Sequence, residues 1–316
     1  MSQTLHPGAQ SLSPRHPGTL APSLLRRARR QSWLAAYLFL APALLGLAIF
    51  RLYPIALAAW GSLHTTTFGG GAQRVFVGLD NYQYLLDYDV FWQSLIVTLK
   101  LNLVINPLQI GLALLLAVLA NQRVSGITFY RTIFFIPIGI SVPIAALLWQ
   151  TMLDPNTGLL NALLSAVGLP RQPFLTSADQ ALWAIVAIAS WKGVSFWMVF
   201  LLGGLQAIPA ELHEAAMLDG ASATRRFFQI TLPLLKRTIL FVLVTDTAIN
   251  LLLFAPIYLL TRGGPELSTN VLMYEAFKTG FVYTDMGLAL AMVMVLLGLV
   301  LVVVAAEFRL LQTGED

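Results

Sequence analysis

Asp246 and Asn250 stand four residues apart inside a run, 237–260, that is otherwise largely apolar. On a helix that spacing puts a carboxylate and an amide on one face. A second apolar run, 182–205, carries Lys192 within WKGVSFW, and a third, 92–120, carries Lys100, Asn102 and Asn106. Polar groups in such runs are costly in hydrocarbon, so they face a bundle interior or a water-filled cavity. Their chemistry is recognition by charge and hydrogen bond. A cation and a carboxylate at similar depth can also pair, which lowers the cost of burying either. Two readings therefore stand side by side: a Lys192–Asp246 pair that ties two helices together, or a set of groups lining a substrate cavity. Trp191, Phe196 and Trp197 flank Lys192 and offer faces for stacking or for plain packing. Lys100 lies about 9 Å outward of the centre of its run by helical rise, and is expected to snorkel to the interface.

Other chemistry is excluded by what the sequence lacks. There is no cysteine, hence no disulfide, thiolate metal site or Cys nucleophile. His6, His16, His64 and His213 are scattered without metal-ligand spacing. No GxxxxGK[ST] or GxGxxG loop is present to cradle phosphates, so ATP-driven work needs an ATPase on another chain. The net charge of +4 is spread between apolar runs and forms no nucleic-acid patch.

The elements that carry these groups are membrane spans. The 316 residues are 57% hydrophobic and 11% charged, with a mean hydropathy of +0.75, whereas a soluble domain is about 25% charged. A span takes about 20 apolar residues, and six runs qualify: 33–60, 92–120, 132–152, 182–205, 237–260 and 286–307. The first is too long for a signal-peptide core and reads as a retained anchor. Residues 1–32, rich in Pro, Ser, Gly and Arg, read as a disordered basic segment. With both termini in the cytoplasm, twelve Lys and Arg fall on the inner side and five on the outer, as the positive-inside rule requires. On the outer side, GLDNYQYLLDYDVF (78–91) suits an interfacial helix.

One inner connection is unusual: EAAMLDGASATRRFFQITLP, 214–233. Pro209 and Glu211 suit a helix start and Gly220 a helix stop. Ala215, Ala216, Met217 and Leu218 nearly encircle this short helix, which gives it more apolar surface than water tolerates. Pro233 is expected to break the helix before the fifth span. The residues alone leave open a connector lying on the membrane surface and a helix that seeks a protein partner.

This stretch resembles the EAA loop of binding-protein-dependent ABC importer permeases. Glu214-Ala215-Ala216, three residues, Gly220, nine residues, Ile230, one residue and Leu232-Pro233 match every fixed position of that pattern and every gap. LLTRGGPELSTNVLMYEAF (259–277) resembles the LTxGGP segment of sugar-family permeases, with Arg262 where glycine is more usual, and MGLALAMVMVLL resembles the start of their last span. The resemblance covers roughly 33–310 and points to the maltose-F-like or glycerol-phosphate-A-like half of a permease pair.

It implies an all-α, polytopic fold: a basic segment 1–32, a six-helix permease domain 33–310 with its coupling loop at 207–236, and a cytoplasmic tail 311–316. It implies ATPase coupling through Glu214, Ala215, Ala216, Leu218, Asp219 and Gly220, and a substrate pathway past Lys192, Gly193, Asp246 and Asn250. The chain itself is expected to be no enzyme and to hold no cofactor or metal; ATP and Mg would sit on the partner ATPase. The implied partners are a second, maltose-G-like permease, two ATPase copies, an extracytoplasmic substrate-binding protein and lipid, in a prokaryotic cell membrane. The implied cargo is a carbohydrate, with glycerol-3-phosphate or a polyol as alternatives. An ion-coupled secondary transporter is a weaker reading, because no internal repeat joins the halves.

Overall fold

The computed structural model describes residues 37–68, 72–122 and 124–312. The basic segment 1–32 and residues 313–316 of the tail lie outside them. The chain divides into two units, at residues 56 and 57. The first unit, from Tyr37, is the opening part of helix α1 (Tyr37–Ser62). None of its described residues is buried, and a π-helical turn widens it at Ala48–Leu52.

The second unit opens with the end of α1 and a hairpin, β1 (His64–Phe68) and β2 (Ala72–Phe76), paired antiparallel with His64 opposite Phe76. Nothing in the apolar pattern anticipated these strands; the run of threonines before GGG is the local signal. Asn81 of helix α2 (Asp80–Asp87) pins the hairpin by donating to Ser62 O at 2.7 Å and His64 O at 3.1 Å.

Helix α3 (Asp89–Ala120) is the second span, and α7 (Ala178–Gln206) is the fourth. Ala113, Ala117 and Ala120 of α3 are fully buried against a cluster that includes Trp197, Met198 and Leu201 of α7. Small residues allow backbones to approach closely, which drives helix association in lipid, where apolar burial alone gains little.

The third expected span is broken. Helix α4 (Ile127–Gly139) and helix α5 (Val142–Met152) are bent by 102°. Pro143 sits at the start of α5 and Pro137 near the end of α4, so the ladder cannot run through. Short helix α6 (Leu159–Ala166) leads on to α7.

After α7 comes helix α8 (Ala210–Leu218), then α9 over 223–251. Pro233 does not break the chain's path. The helix starts ten residues earlier than the proline, at Ala223, and a π-helical turn at Phe227–Thr231 precedes it. Proline within the first turn of the following segment lacks only an N–H that the wider turn leaves unused. The fifth span therefore begins well before residue 237 and is interrupted at 252–254, ahead of α10 (Ala255–Leu260). A loop leads to α11 (Leu272–Phe277), and α12 (Met286–Gln312) is the last span, helical into the expected tail. Among the described residues five helices are long and apolar enough to cross a membrane, or six if the bent pair counts as one.

Candidate functional site: a polar cavity and an exposed helix

All four residues read as a substrate pathway line one cavity of about 600 Å³, between α3, α5, α7, α9 and α10. Their geometry differs from the expected pairing. Lys192 does not reach Asp246. Its ammonium donates to Pro137 O at 3.2 Å, Ile138 O at 3.3 Å and Ile140 O. These carbonyls lie at and just past the end of α4, where the break removes most of their helical donors; Pro137 O keeps one long bond, from Ile140 N at 3.4 Å. A cation at a helix C-terminus also meets the negative end of the helix dipole. Backbone can leave helical geometry at membrane depth only where protein or a wet cavity satisfies it, and Lys192 supplies that satisfaction at this break.

Asp246 is held from three directions. Trp197 Nε1 donates to Oδ1 at 2.6 Å and Asn250 Nδ2 at 3.0 Å. The Gln109 amide, with its NH2 turned toward the carboxylate, donates at 2.6 and 3.2 Å; the opposite orientation would set oxygen against oxygen. Asn250 also donates to Asn106 Oδ1 at 2.9 Å, and Asn106 donates to Thr247 Oγ1 at 2.9 Å. Thr247 in turn donates to Glu307 Oε1 at 2.8 Å. This chain of bonds joins α3, α7, α9 and α12. Glu307 Oε2, at the end of this chain, is buried without a partner, while the bonds among the other members tie the helices in one register.

Gly193 plays a steric part. A Cβ there would stand 2.6–2.7 Å from the Gln109 amide group, so the glycine admits the amide that serves Asp246. Trp197 is buried and bonded rather than open for stacking, and Trp191 packs edge-on against Trp149 at 5.7 Å. Phe196 alone of the three aromatics keeps a substantial exposed face on the cavity, at 40%. Gln109 and Glu307 were not anticipated. Asn102, Asn106 and Gln109 follow a four-then-three spacing that marks one helix face, which was the signal for Gln109.

The EAA residues fold as a separate feature. Pro209 precedes α8 and Glu211 lies in its first turn. Gly220 at φ +76° ends it, with Ala221 N donating to Ala216 O at 2.9 Å and Gly220 N to Met217 O at 3.1 Å. This is the Schellman geometry that favours glycine. His213 and Met217 face a hollow shared with the end of α3 and the start of α9. Glu214, Ala215, Leu218, Asp219 and Gly220 are exposed, Leu218 at 90%, and Ala216 is half-buried toward Arg225 and Gln229. A leucine this bare beside a carboxylate, on a helix stopped sharply at both ends, is a rigid, unfilled face.

The LTxGGP segment folds back onto α3. Buried Asn270 donates to Ser94 Oγ and to Glu275 Oε2, both at 2.8 Å, and Thr98 Oγ1 accepts from Leu272 N at 2.8 Å. Glu275 also holds Lys278 at 2.8 Å. Burial depresses the Lys278 pKa, but bonding and attraction to Glu275 outweigh it and the net shift is upward. Burial, followed by the Glu275 charge, pushes Tyr88 up to about 12.

Residues 109–310 match the family described as binding-protein-dependent transport system inner membrane component. The chain is 36% identical over 278 residues to the sn-glycerol-3-phosphate transport system permease protein UgpA of Agrobacterium fabrum, covering 87% of this chain and 94% of that protein. It is 38% identical over 242 residues to the trehalose/maltose transport system permease protein MalF of Thermococcus litoralis, covering 76% and 81%. Among solved structures it is similar to a chain of the bacterial alginate ABC transporter in complex with an alginate pentasaccharide-bound periplasmic protein, with a TM-score of 0.78, 26% identity, and coverage of 89% and 94%. With the EAA helix, the polar bundle core and these likenesses together, the chain belongs to the inner membrane component family of binding-protein-dependent transport systems: it is a multi-pass permease subunit.

Proposed function

We propose that this permease imports a carbohydrate and is driven by ATP hydrolysed on a separate cytoplasmic ATPase, which α8 engages through Glu214, Ala215, Ala216, Leu218, Asp219 and Gly220. The observation that carries this reading is the bare, stiff face of α8. A rigid helix transmits a rigid-body movement, and the network through Asp246 lets α3, α7, α9 and α12 follow it as one body. Nucleotide drives the change through its differential affinity for two states of the complex. In this reading both termini are cytoplasmic, a second permease completes the pathway, two ATPase copies carry ATP and Mg, and a substrate-binding protein delivers cargo to the opposite face. This chain then needs no cofactor.

The cavity beside Lys192, Gly193, Asp246 and Asn250 is the proposed cargo site. Its wall is mostly apolar with a few convergent polar groups, as small-ligand sites are. Lys192, bonded only to neutral carbonyls, keeps its positive charge on the cavity wall and is the group an anionic cargo would meet. That favours glycerol-3-phosphate or another anionic carbohydrate as a second reading, in line with the relative named for glycerol-3-phosphate. Uptake by the reconstituted transporter of labelled maltose, trehalose and glycerol-3-phosphate, each with its binding protein, tests both. Uptake of any of them that Gly220→Val abolishes supports the import reading, and their ranking fixes the class. Uptake that persists without ATP overturns it.

A further inference from the structure

A groove of about 690 Å³ lies at the end of the bundle opposite α8, between the start of α3, the start of α7 and the loop before α11. Its walls carry charges of both signs. Asp89 and Asp179 stand in the first turns of α3 and α7, and Glu266, whose carbonyl accepts from Gln93 at 3.4 Å, lies in the loop, whereas Lys100 lies further along α3 in the same wall. Lys100 sits eleven residues along α3 from Asp89, or about 16 Å at helical rise. None of these four side chains makes an ion pair among the described residues. Trp92 and Trp183 flank the groove, 43% and 57% exposed, and Trp92 is fixed by its Nε1 bond to Leu86 O at 2.9 Å. Ser268 Oγ, buried and without a partner, lies in the same wall.

We infer that this groove binds the headgroup of an aminophospholipid, phosphatidylethanolamine in chemical class. The order of groups along the membrane normal carries the inference. Carboxylates lie outermost, a snorkelling lysine lies below them, and apolar surface follows. A phosphatidylethanolamine leaflet presents ammonium, phosphate and acyl chain in the same order. The ammonium has N–H donors for the carboxylates, the phosphate oxygens accept from Lys100, and the indoles sit at the headgroup level. Charge complementarity selects among lipids. A quaternary choline offers no N–H donor, and phosphatidylglycerol brings a negative headgroup to three carboxylates without an ammonium to offset it.

The test is native mass spectrometry of the full chain in detergent, titrated separately with phosphatidylethanolamine, phosphatidylcholine and phosphatidylglycerol. The expected result is at least fivefold tighter retention of phosphatidylethanolamine than of either other lipid. Lys100→Gln should weaken it about tenfold, and Asp179→Asn with Glu266→Gln should shrink the preference over phosphatidylglycerol. Equal retention of all three lipids would mean ordinary annular lipid and would overturn the proposal. So would a Lys100→Gln protein that keeps the wild-type preference, or a groove found filled by a co-purified polypeptide that excludes lipid. Unchanged thermal unfolding of the variants separates lost binding from misfolding; if Lys100→Gln unfolds early, Lys100→Arg must keep the preference or the proposal fails.

Discussion

Replacing Lys192 with methionine keeps the length of the side chain and removes the ammonium. The carbonyls of Pro137, Ile138 and Ile140 then lose their shared donor. A hydrogen bond from a charged group contributes about 1.5–3 kcal/mol, and an unmade buried acceptor costs about 1–3 kcal/mol. The three bonds share one ammonium and do not add in full. Lys192 is only half-buried, so cavity water recovers part of the loss. The net is a loss of roughly 3 kcal/mol. At about 2–4 °C per kcal/mol for chains of somewhat smaller size, thermal unfolding in detergent should begin roughly 6–12 °C lower. The assay uses the full chain without cargo or partners, so a role for Lys192 in cargo binding alone would leave it unmoved. Lys192→Arg, which keeps donors near the same carbonyls, should recover at least half of the shift. A methionine variant that unfolds within about 1 °C of the wild type would refute the capping argument.

Asp246 gives a ranked pair of outcomes. Asp246→Asn keeps one acceptor oxygen for Trp197 and Asn250, and Gln109 can turn its own oxygen to the new amide, so the loss should stay near 1 kcal/mol. Asp246→Leu strands all three donors and should cost about 3 kcal/mol or more; chemical-denaturation midpoints that put the two in the opposite order would contradict the network. Asp154 anchors an exposed turn by accepting from Asn156 N at 2.9 Å, Thr157 N at 2.7 Å and Thr157 Oγ1 at 2.9 Å. The Thr157 backbone bond, foremost among these, lowers its pKa below the ordinary 3.8. The turn's stabilisation is therefore complete above the unfolded carboxylate range and is lost as pH falls through the lowered value. Limited proteolysis with an acid-active protease should nick 153–158 faster as pH drops through that range, and Asp154→Asn should be nicked fast at every pH.

Much of this architecture was legible because membrane spans announce themselves by length and hydropathy. Asp246 and Asn250 were found together because helical spacing alone puts them on one face. Their partners were harder. Gln109 and Trp197 come from other helices, and no local pattern states which residues meet across a bundle. The Lys192–Asp246 pairing failed for a similar reason: similar depth does not imply adjacency, and the open carbonyls at 137–140 became visible only with the bend. That bend was hidden by an unbroken apolar run, although Pro137 and Pro143 mark it. Pro233 misled in the other direction, since the π-helical turn before it accommodates the ring. The EAA helix was the most legible element, because its ends are set by Pro209 and Gly220, whose backbone preferences act locally.

In the proposed function, α8 is the surface through which ATP hydrolysis reaches this permease. The most direct measurement is co-purification from its own cell membrane in mild detergent, comparing wild type with a Glu214→Lys, Gly220→Val double variant and identifying bound proteins by mass. Gly220 at φ +76° strains any β-branched replacement, and the lysine reverses the charge beside Leu218. Wild type should retain an ATPase and a second permease, and the variant should keep the permease while losing the ATPase at least tenfold. A variant that retains its ATPase at the wild-type level would contradict that role of α8.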